Sequence, residues 1–494
     1  MIRSTIYFLF SIIITFTATA QEAVFHFDSD KIIYKDLAYF GSLSKSVVKE
    51  QVEGEKQLNF NPAISFNGVA DYLKVNPELY SGFTQMTAIT VFCPFGKTEE
   101  DIALWELDSE LAMSTTKATN KSMELEYEGI EMDKPVIHTY IQYYKKNNRF
   151  LSTLLEELSI GNQSFTNTNF KGQIAELLLF NKVLNDEELQ KITSSLALKY
   201  GISLKENQDY LAADNSIVWD ATTDSLFSNR ITGIACDSKN HLLQKQSTST
   251  ENPGFLTIGV EAIAASNNNN TGSLPDQNYL VWGDNNQVFE FINPDEESAT
   301  DLAVSKRKWL MNATGIETLN TQLKIDAASI LEEGIKNLFL VINENGIDEF
   351  NNAYEGLRFV YPSSIDENGI ITYDNVQWDT NNSGSDVFAF VAEQNVLLFE
   401  SNENNAASLN GQDLHFGLYP NITADGNYAI AIQLEEARVI EITVFDAMGR
   451  KQDTKSLEGS RFYFLGNEFI DKPGIYNVLL TIDQKSVNRK LIVR

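Results

Sequence analysis

Along most of the chain, apolar residues come in short runs or in alternation, separated by clusters of Gly, Asn, Asp and Ser. That is the pattern of β-strands joined by turns. One stretch breaks the rhythm, residues 173–202. Its apolar run 174–180, closed by Asn181, predicts a buried strand. Asn185 then stands as an N-cap with Glu188 three residues on, and Leu184 and Leu189 are spaced for a hydrophobic staple. Leu189, Ile192 and Leu196 recur at helical spacing, Lys199 lies in the last turn, and Gly201 is placed for a left-handed C-terminal cap. The pattern predicts one amphipathic helix that also ends a domain, because a polar connector follows at 203–209.

Before the helix, segments 89–92, 102–107, 123–127 and 137–144 carry the β-branched and aromatic residues of strands. Their spacing predicts a two-sheet sandwich over residues 21–202. A second β domain is expected over 203–400, with closing strands at 338–342 and 387–390. Its Asn-rich run 266–271 reads as an exposed loop that cannot contribute to a core. Residues 401–413 form a polar linker, and 414–494 have the length of a small third sandwich. The fold class is therefore mainly β and multidomain.

Residues 1–20 change the picture of compartment. Arg3 precedes an apolar body at 6–16 and then Ala18-Thr19-Ala20, the form of a secretory signal peptide cleaved before Gln21. No other apolar run approaches the ~18 residues of a membrane span, so no transmembrane segment is expected in the mature chain. The formal charge of −30 repels phosphate backbones and anionic headgroups, which speaks against nucleic-acid partners and basic-patch membrane binding. It also keeps a protein soluble. Cys93 and Cys236 fall in different domains and make no zinc spacing; two isolated buried thiols are expected.

Several phrases resemble known families. Gly172-Gln173-Ile174-Ala175-Glu176, Phe180-Asn181, Glu187-Glu188 and Leu196-Ala197-Leu198-Lys199-Tyr200-Gly201-Ile202 resemble the end of the LamG-like (concanavalin-type jelly-roll) domain of bacterial surface and secreted proteins. Phe66-Asn67-Gly68 and Asp71-Tyr72-Leu73 resemble its opening. Val218-Trp219-Asp220, Ile231-Thr232-Gly233-Ile234-Ala235 and Leu280-Val281-Trp282-Gly283-Asp284 resemble the domain of unknown function that follows it in such proteins. Leu418-Tyr419-Pro420-Asn421, Met448-Gly449-Arg450, Pro473-Gly474-Ile475-Tyr476 and the basic end Lys490 to Arg494 resemble the type A C-terminal sorting domain of the type IX secretion system; Ile422 departs from the proline usual there. The resemblance implies a jelly roll closed by one α-helix, a second β domain and a C-terminal Ig-like sandwich. It implies type IX secretion machinery as a partner, passage through the periplasm, and a secreted or outer cell-surface destination.

Candidate chemistry is sparse. Glu106, Asp108 and Glu110 alternate, so a single extended strand would point them to one face. Two facing carboxylates are what retaining glycoside hydrolysis uses. The spacing resembles the E-x-D-x-E phrase of laminarinase-like hydrolases, with Ser109 where that phrase has an apolar residue. The competing reading is a hairpin with Asp108 and Ser109 in its turn. Asn343, Asn345 and Asp348 offer oxygens of the kind Ca²⁺ takes, in competition with an Asn345-Gly346 turn. The five tryptophans could offer a sugar-stacking face, but each has a strand-like context that favours core packing. The four histidines show no metal spacing, and neither a G-x-S-x-G, an H-E-x-x-H nor a P-loop occurs. No cofactor is expected beyond the Ca²⁺ reading. Three functions remain: a non-catalytic adhesion or glycan-binding protein, a β-glucan hydrolase using Glu106 and Glu110, and a purely structural surface protein.

Overall fold

The computed structural model describes residues 25–28, 57–69, 71–75, 85–96, 102–107, 111–120, 123–127, 130–142, 158–163, 168–180, 182–205, 207–292, 303–315, 319–332, 337–348, 350, 357–360, 362–366, 368–393, 415–419, 422–423, 426–483 and 485–494. Residues 1–20, expected as a signal peptide, and 401–413, expected as a linker, lie outside them. The described chain is mainly β, with several sheets and one main helix, Asp186–Tyr200 (α1). Among the described residues, no helix is long and apolar enough to cross a membrane.

The first sandwich places two antiparallel sheets face to face. In one, Lys171–Phe180 lies beside Met86–Pro94, which pairs in turn with Val136–Gln142; Ile64–Asn67 and Phe25–Asp28 pair with Lys171–Phe180 as well. The other runs through Leu111–Ser114, Ala103–Leu107, Leu158–Ile160 and Leu73–Val75. Phe66, Phe92, Trp105, Met113 and Phe170 fill the space between them. Every residue of Met86–Pro94 is buried, because the strand is covered on both faces. Ala88 and Phe92 point into the sandwich; Ile89, Val91 and Cys93 point outward to meet α1. A strand covered on both sides reads as a continuous apolar run rather than an alternation.

The expected caps of α1 are formed. Asn185 Oδ1 accepts from the Glu188 backbone N–H at 2.8 Å, and Glu188 Oε2 accepts from the Asn185 backbone N–H at 2.8 Å. Gly201 closes the helix at φ 64°. The expectation of a one-faced amphipathic helix does not hold in its second half. Thr193 to Leu198 and Tyr200 are all buried. Leu196 and Tyr200 pack on the first sandwich, whereas Ala197 and Leu198 pack with Tyr210, Trp219, Ala235 and Val281 of the next domain. Small Ser194 and Ala197 let the second domain come close: Ser194 Oγ accepts from Leu211 N at 3.0 Å, and Ala197 lies in the second-domain cluster. At Gly233 an added Cβ would lie 3.0 Å from Leu198 Cδ2 and 2.7 Å from Leu280 O, so only glycine fits there.

The second sandwich has the same logic. One sheet orders Leu242–Gln244, Asn229–Asp237, Asn278–Asp284, Trp309–Thr314 and Ser385–Glu393; Asn337–Asn343 pairs with Ser385–Glu393. The facing sheet orders Gln246–Thr248, Leu256–Val260, Thr321–Asp326, Ile370–Val376 and Ser364–Ile365. Between them lie Trp282, Trp309, Tyr373, Trp378, Phe388 and Phe390. The layers thus run sheet, sheet, α1, sheet, sheet. The C-terminal region has a core of its own drawn from residues 416–493, built on the long strands Asn427–Asp446 and Lys451–Phe469 with Gly474–Ile482 and Lys485–Val493.

A small hairpin locks the two sandwiches around the end of α1. Gln57–Leu58 and Asn61–Pro62 are joined by Asn59 and Phe60, both at positive φ. Asn59 Nδ2 donates to Lys199 O (3.1 Å) and to Ser247 Oγ (2.8 Å), while its Oδ1 accepts from the Thr248 backbone N–H (2.8 Å). Asn61 Nδ2 donates to Lys199 O (2.7 Å) and Gln244 Oε1 (2.9 Å). Gly201 O accepts both the N–H and the hydroxyl of Thr250, and an added Cβ at Gly201 would lie 2.4 Å from Thr248 O. The Asn run expected to be a purely exposed loop takes part. Asn267 and Asn270 are buried, and Asn267 bonds Lys245 N and Leu243 O while its own N–H reaches Phe60 O. Asparagines are costly inside a protein only when unpaired, and these are paired.

Replacing Asn59 by glycine keeps the positive φ but deletes the side-chain bonds of a buried junction. The Asn59→Gly protein is expected to lose about 2–4 kcal/mol of stability. Urea unfolding monitored by intrinsic fluorescence measures this, and an unchanged midpoint would show that the junction contributes nothing.

Candidate functional site

Glu106 lies on Ala103–Leu107, a strand buried along its whole length in the middle of its sheet. It is 6% exposed, opposite Ala112 on one side and Ser159 on the other. Its neighbours Trp105 and Leu107 belong to the sandwich core, with Trp105 Nε1 donating to Thr90 Oγ1 at 2.9 Å. Asp108 and Glu110 lie outside the described residues. On one extended strand Leu107 and Leu111 would stand about 13 Å apart. They are instead antiparallel cross-strand partners.

Asn343 ends the strand Asn337–Asn343 and turns its oxygens onto its own loop. Its Oδ1 accepts from Asn345 N at 3.0 Å and its carbonyl accepts from Gly346 N at 3.2 Å. Gly346, at φ 67°, completes the turn. The returning partner strand starts only at Leu357, so this is not a two-residue hairpin. Asp348 is ion-paired with Lys308 Nζ at 2.5 Å, and Lys308 also lies 5.1 Å over the Phe350 ring. Among the described residues no three side chains of His, Cys, Asp and Glu gather as a metal cluster. All five tryptophans are buried, so none offers an exposed stacking face. Cys93 is buried and Cys236 half-buried, both as thiols. Cys236 therefore departs from the expected buried state, and burial followed by the nearby Asp276 and Asp237 charges raises its pKa.

Two arrangements were not singled out from the sequence. The first is the loop between Ile370–Val376 and Ser385–Glu393, stacked against the Asn343 turn. Glu344 Oε1 accepts from Arg358 Nε and Thr380 Oγ1, each at 2.7 Å, and Asn381 Nδ2 donates to Glu344 O at 2.5 Å. Its closing residue, Asp386, is fully buried. The signal available was the run Asp379-Thr380-Asn381-Asn382-Ser383-Gly384-Ser385-Asp386, with oxygen-bearing side chains at alternate positions ahead of a glycine. The second is His138. Its ring stacks on Tyr127 at 4.1 Å, meets Phe92 edge-on at 4.9 Å, and its Nε2–H donates to Thr115 O at 3.0 Å. The His138 arrangement does not follow from spacing along one strand, because its partners come from separate segments.

Residues 188–383 match a family described as a domain of unknown function, DUF8202. The match begins at Glu188, within α1, and so takes in the part of the helix that packs on the second sandwich. No curated protein matches the chain. Among solved structures, similarity extends to β-glucuronidases from Ruminococcus gnavus (9% identity, TM-score 0.12, 35% of this chain and 36% of that one). It extends also to those from Parabacteroides merdae (12%, 0.12, 36% and 28%) and Faecalibacterium prausnitzii (12%, 0.13, 44% and 37%). The chain thus spans roughly a third of the length of these enzymes, and TM-scores of this size carry no argument about its activity.

His138 gives a test of the first sandwich. Burial lowers its pKa from 6.5 to about 4, against the opposing bonds to Thr115 and Ile137. Between those values the unfolded chain binds a proton that the folded one refuses, so stability falls as pH drops from about 6.5 towards 4. The full window is worth about 3 kcal/mol. His138→Gln, which keeps a donor for Thr115 O, is expected to lose that much less than the wild type between pH 7 and pH 4. Urea unfolding at both pH values measures it, and parallel losses would refute a buried neutral imidazole.

Proposed function

We propose that this chain is a secreted or cell-surface protein, exported by the type IX system, that works without catalysis through adhesion or glycan binding. The observation that best supports the reading is the α1 junction. A helix buried on two sides, with its last carbonyls held by Asn59 and Asn61, makes two sandwiches one stiff frame. Loops carried on a stiff β frame are a common way to present a binding surface; the step from frame to function is analogy between folds. The cross-strand pairing of Leu107 with Leu111 supports a hairpin rather than a straight carboxylate-bearing strand. With the tryptophans buried, contact with a sugar would fall to exposed polar loop residues.

A glycan array probed with the full mature chain, followed by product analysis on any glycan retained, is the direct test. Binding without products, unchanged in Glu106→Gln, is expected. Hydrolysis that disappears in Glu106→Gln would replace this reading with the β-glucan hydrolase, and a silent array would favour a purely structural surface protein. Export has its own test: removing residues 414–494 should hold the protein in the periplasm, and cell fractionation showing undiminished release would overturn the sorting assignment.

A further inference from the structure

Asp386 is the second residue of the strand Ser385–Glu393, and none of its surface reaches solvent. Its Oδ2 accepts the backbone N–H of Asp379 at 2.7 Å, so the carboxylate abuts the start of the 379–385 loop. Its Oδ1 has no hydrogen-bond partner. A buried carboxylate oxygen left without a donor is costly, and it is satisfied by a proton, a water or a cation. Burial pushes the carboxyl up to about 6, against the opposing pull of the Asp379 N–H and Arg358. Above that pH it is mostly ionised. Arg358 is the neighbouring cation, and its guanidinium is already bound to Glu344 and to Gln377 O.

The loop in front of Asp386 is built from oxygens. Asp379, Asn381 and Ser383 alternate and Gly384 follows, the spacing at which calcium loops place ligands at positions one, three and five with glycine at six. Asp379 Oδ1 accepts from Gly384 N at 2.8 Å, and Asn381 Oδ1 accepts from Ser383 N at 3.0 Å, which curls the loop on itself. Among the described residues, Asp379 Oδ2 makes no hydrogen bond, so both ends of the segment keep an uncommitted carboxylate oxygen. The adjoining turn at Asn343 differs: its oxygens serve its own backbone, and Asp348 serves Lys308. We propose that Asp379 and Asp386, with amide, hydroxyl and carbonyl oxygens of the loop between them, hold a Ca²⁺ ion.

The donor set is all oxygen, as a hard cation requires, and has two carboxylates rather than the larger number of a tight site. Affinity should therefore fall in the extracellular range, with Kd on the order of 10⁻⁴–10⁻³ M. The bond from Asn381 to Glu344 O links this loop to the Asn343 turn, so the ion would stiffen both.

Thermal unfolding of the full chain at pH 7.5, with chelator, with Ca²⁺ and with Mg²⁺ up to about ten times that Kd, tests the site. Ca²⁺ is expected to raise the midpoint, Mg²⁺ at equal concentration to have a much smaller effect, and chelator to reverse the shift. Asp386→Asn and Asp379→Asn, which keep the shape and the acceptors for Asp379 N and Gly384 N, should each weaken Ca²⁺ binding at least tenfold. Terbium luminescence sensitised by Trp378, the residue before the loop, gives a second readout that Ca²⁺ should quench by competition. If Asp386→Asn fails to fold, Asp379→Asn alone carries the comparison. No Ca²⁺ response in the wild type, an equal response to Mg²⁺, or a response that Asp379→Asn leaves intact would each overturn the proposal.

Discussion

The last carbonyls of a helix have no partner within it, and here their satisfaction ties the molecule together. Lys199 O takes its hydrogen bonds from Asn59 and Asn61, side chains presented by a hairpin of the first sandwich. The same two asparagines bond Ser247, Thr248 and Gln244 of the second. Hydrophobic burial on the two faces of α1 supplies most of the attraction between the domains, but it is non-directional. The asparagine network adds direction, because each amide must find both its donor and its acceptor partners at once.

The helix and its caps were legible because capping is local: Asn185, Glu188, Lys199 and Gly201 lie within a few residues of what they stabilise. The strands were legible as β-branched and aromatic runs, and the mainly β, multidomain architecture followed. The second face of α1 was hidden because Ser194 and Ala197 do not look like core residues, and because Leu198 packs on Gly233, far along the chain. The Asn run misled for a related reason. Polarity predicts exposure only when nothing nearby can pair with the polar group, and Lys245, Leu243 and Val260 offer backbone partners to Asn267 and Asn270.

At Glu106 two readings of the sequence competed, an alternating strand and a hairpin. Period two assigns a face only while the chain stays extended, and the cross-strand pairing of Leu107 with Leu111 is what the hairpin reading expects. At the cation candidates, attention to a glycine next to asparagine found the turn at Asn343 but not the neighbouring loop. There the two carboxylates are seven residues apart, and only folding sets Asp386 beneath Asp379.

The acidity of the chain takes on a different meaning in the folded state. Asp214, Asp220 and Asp446 each accept backbone N–H bonds within their own turns, first among the causes that hold their carboxyls below the usual range. Asp237 accepts from Ala213 N and the Tyr279 hydroxyl inside the protein. These aspartates organise turns and strand ends, a role that aspartate fills better than glutamate because its carboxylate reaches the backbone two or three residues on. Asp386 begins in the same way, with one oxygen on the Asp379 N–H, and then departs from it, since its second oxygen is buried with no donor. Among the described residues Asp237 and Asp284 are buried with both carboxylate oxygens bonded, and against that background the orphaned Asp386 Oδ1 is a stronger pointer to a positive partner than any count of acidic residues on the surface.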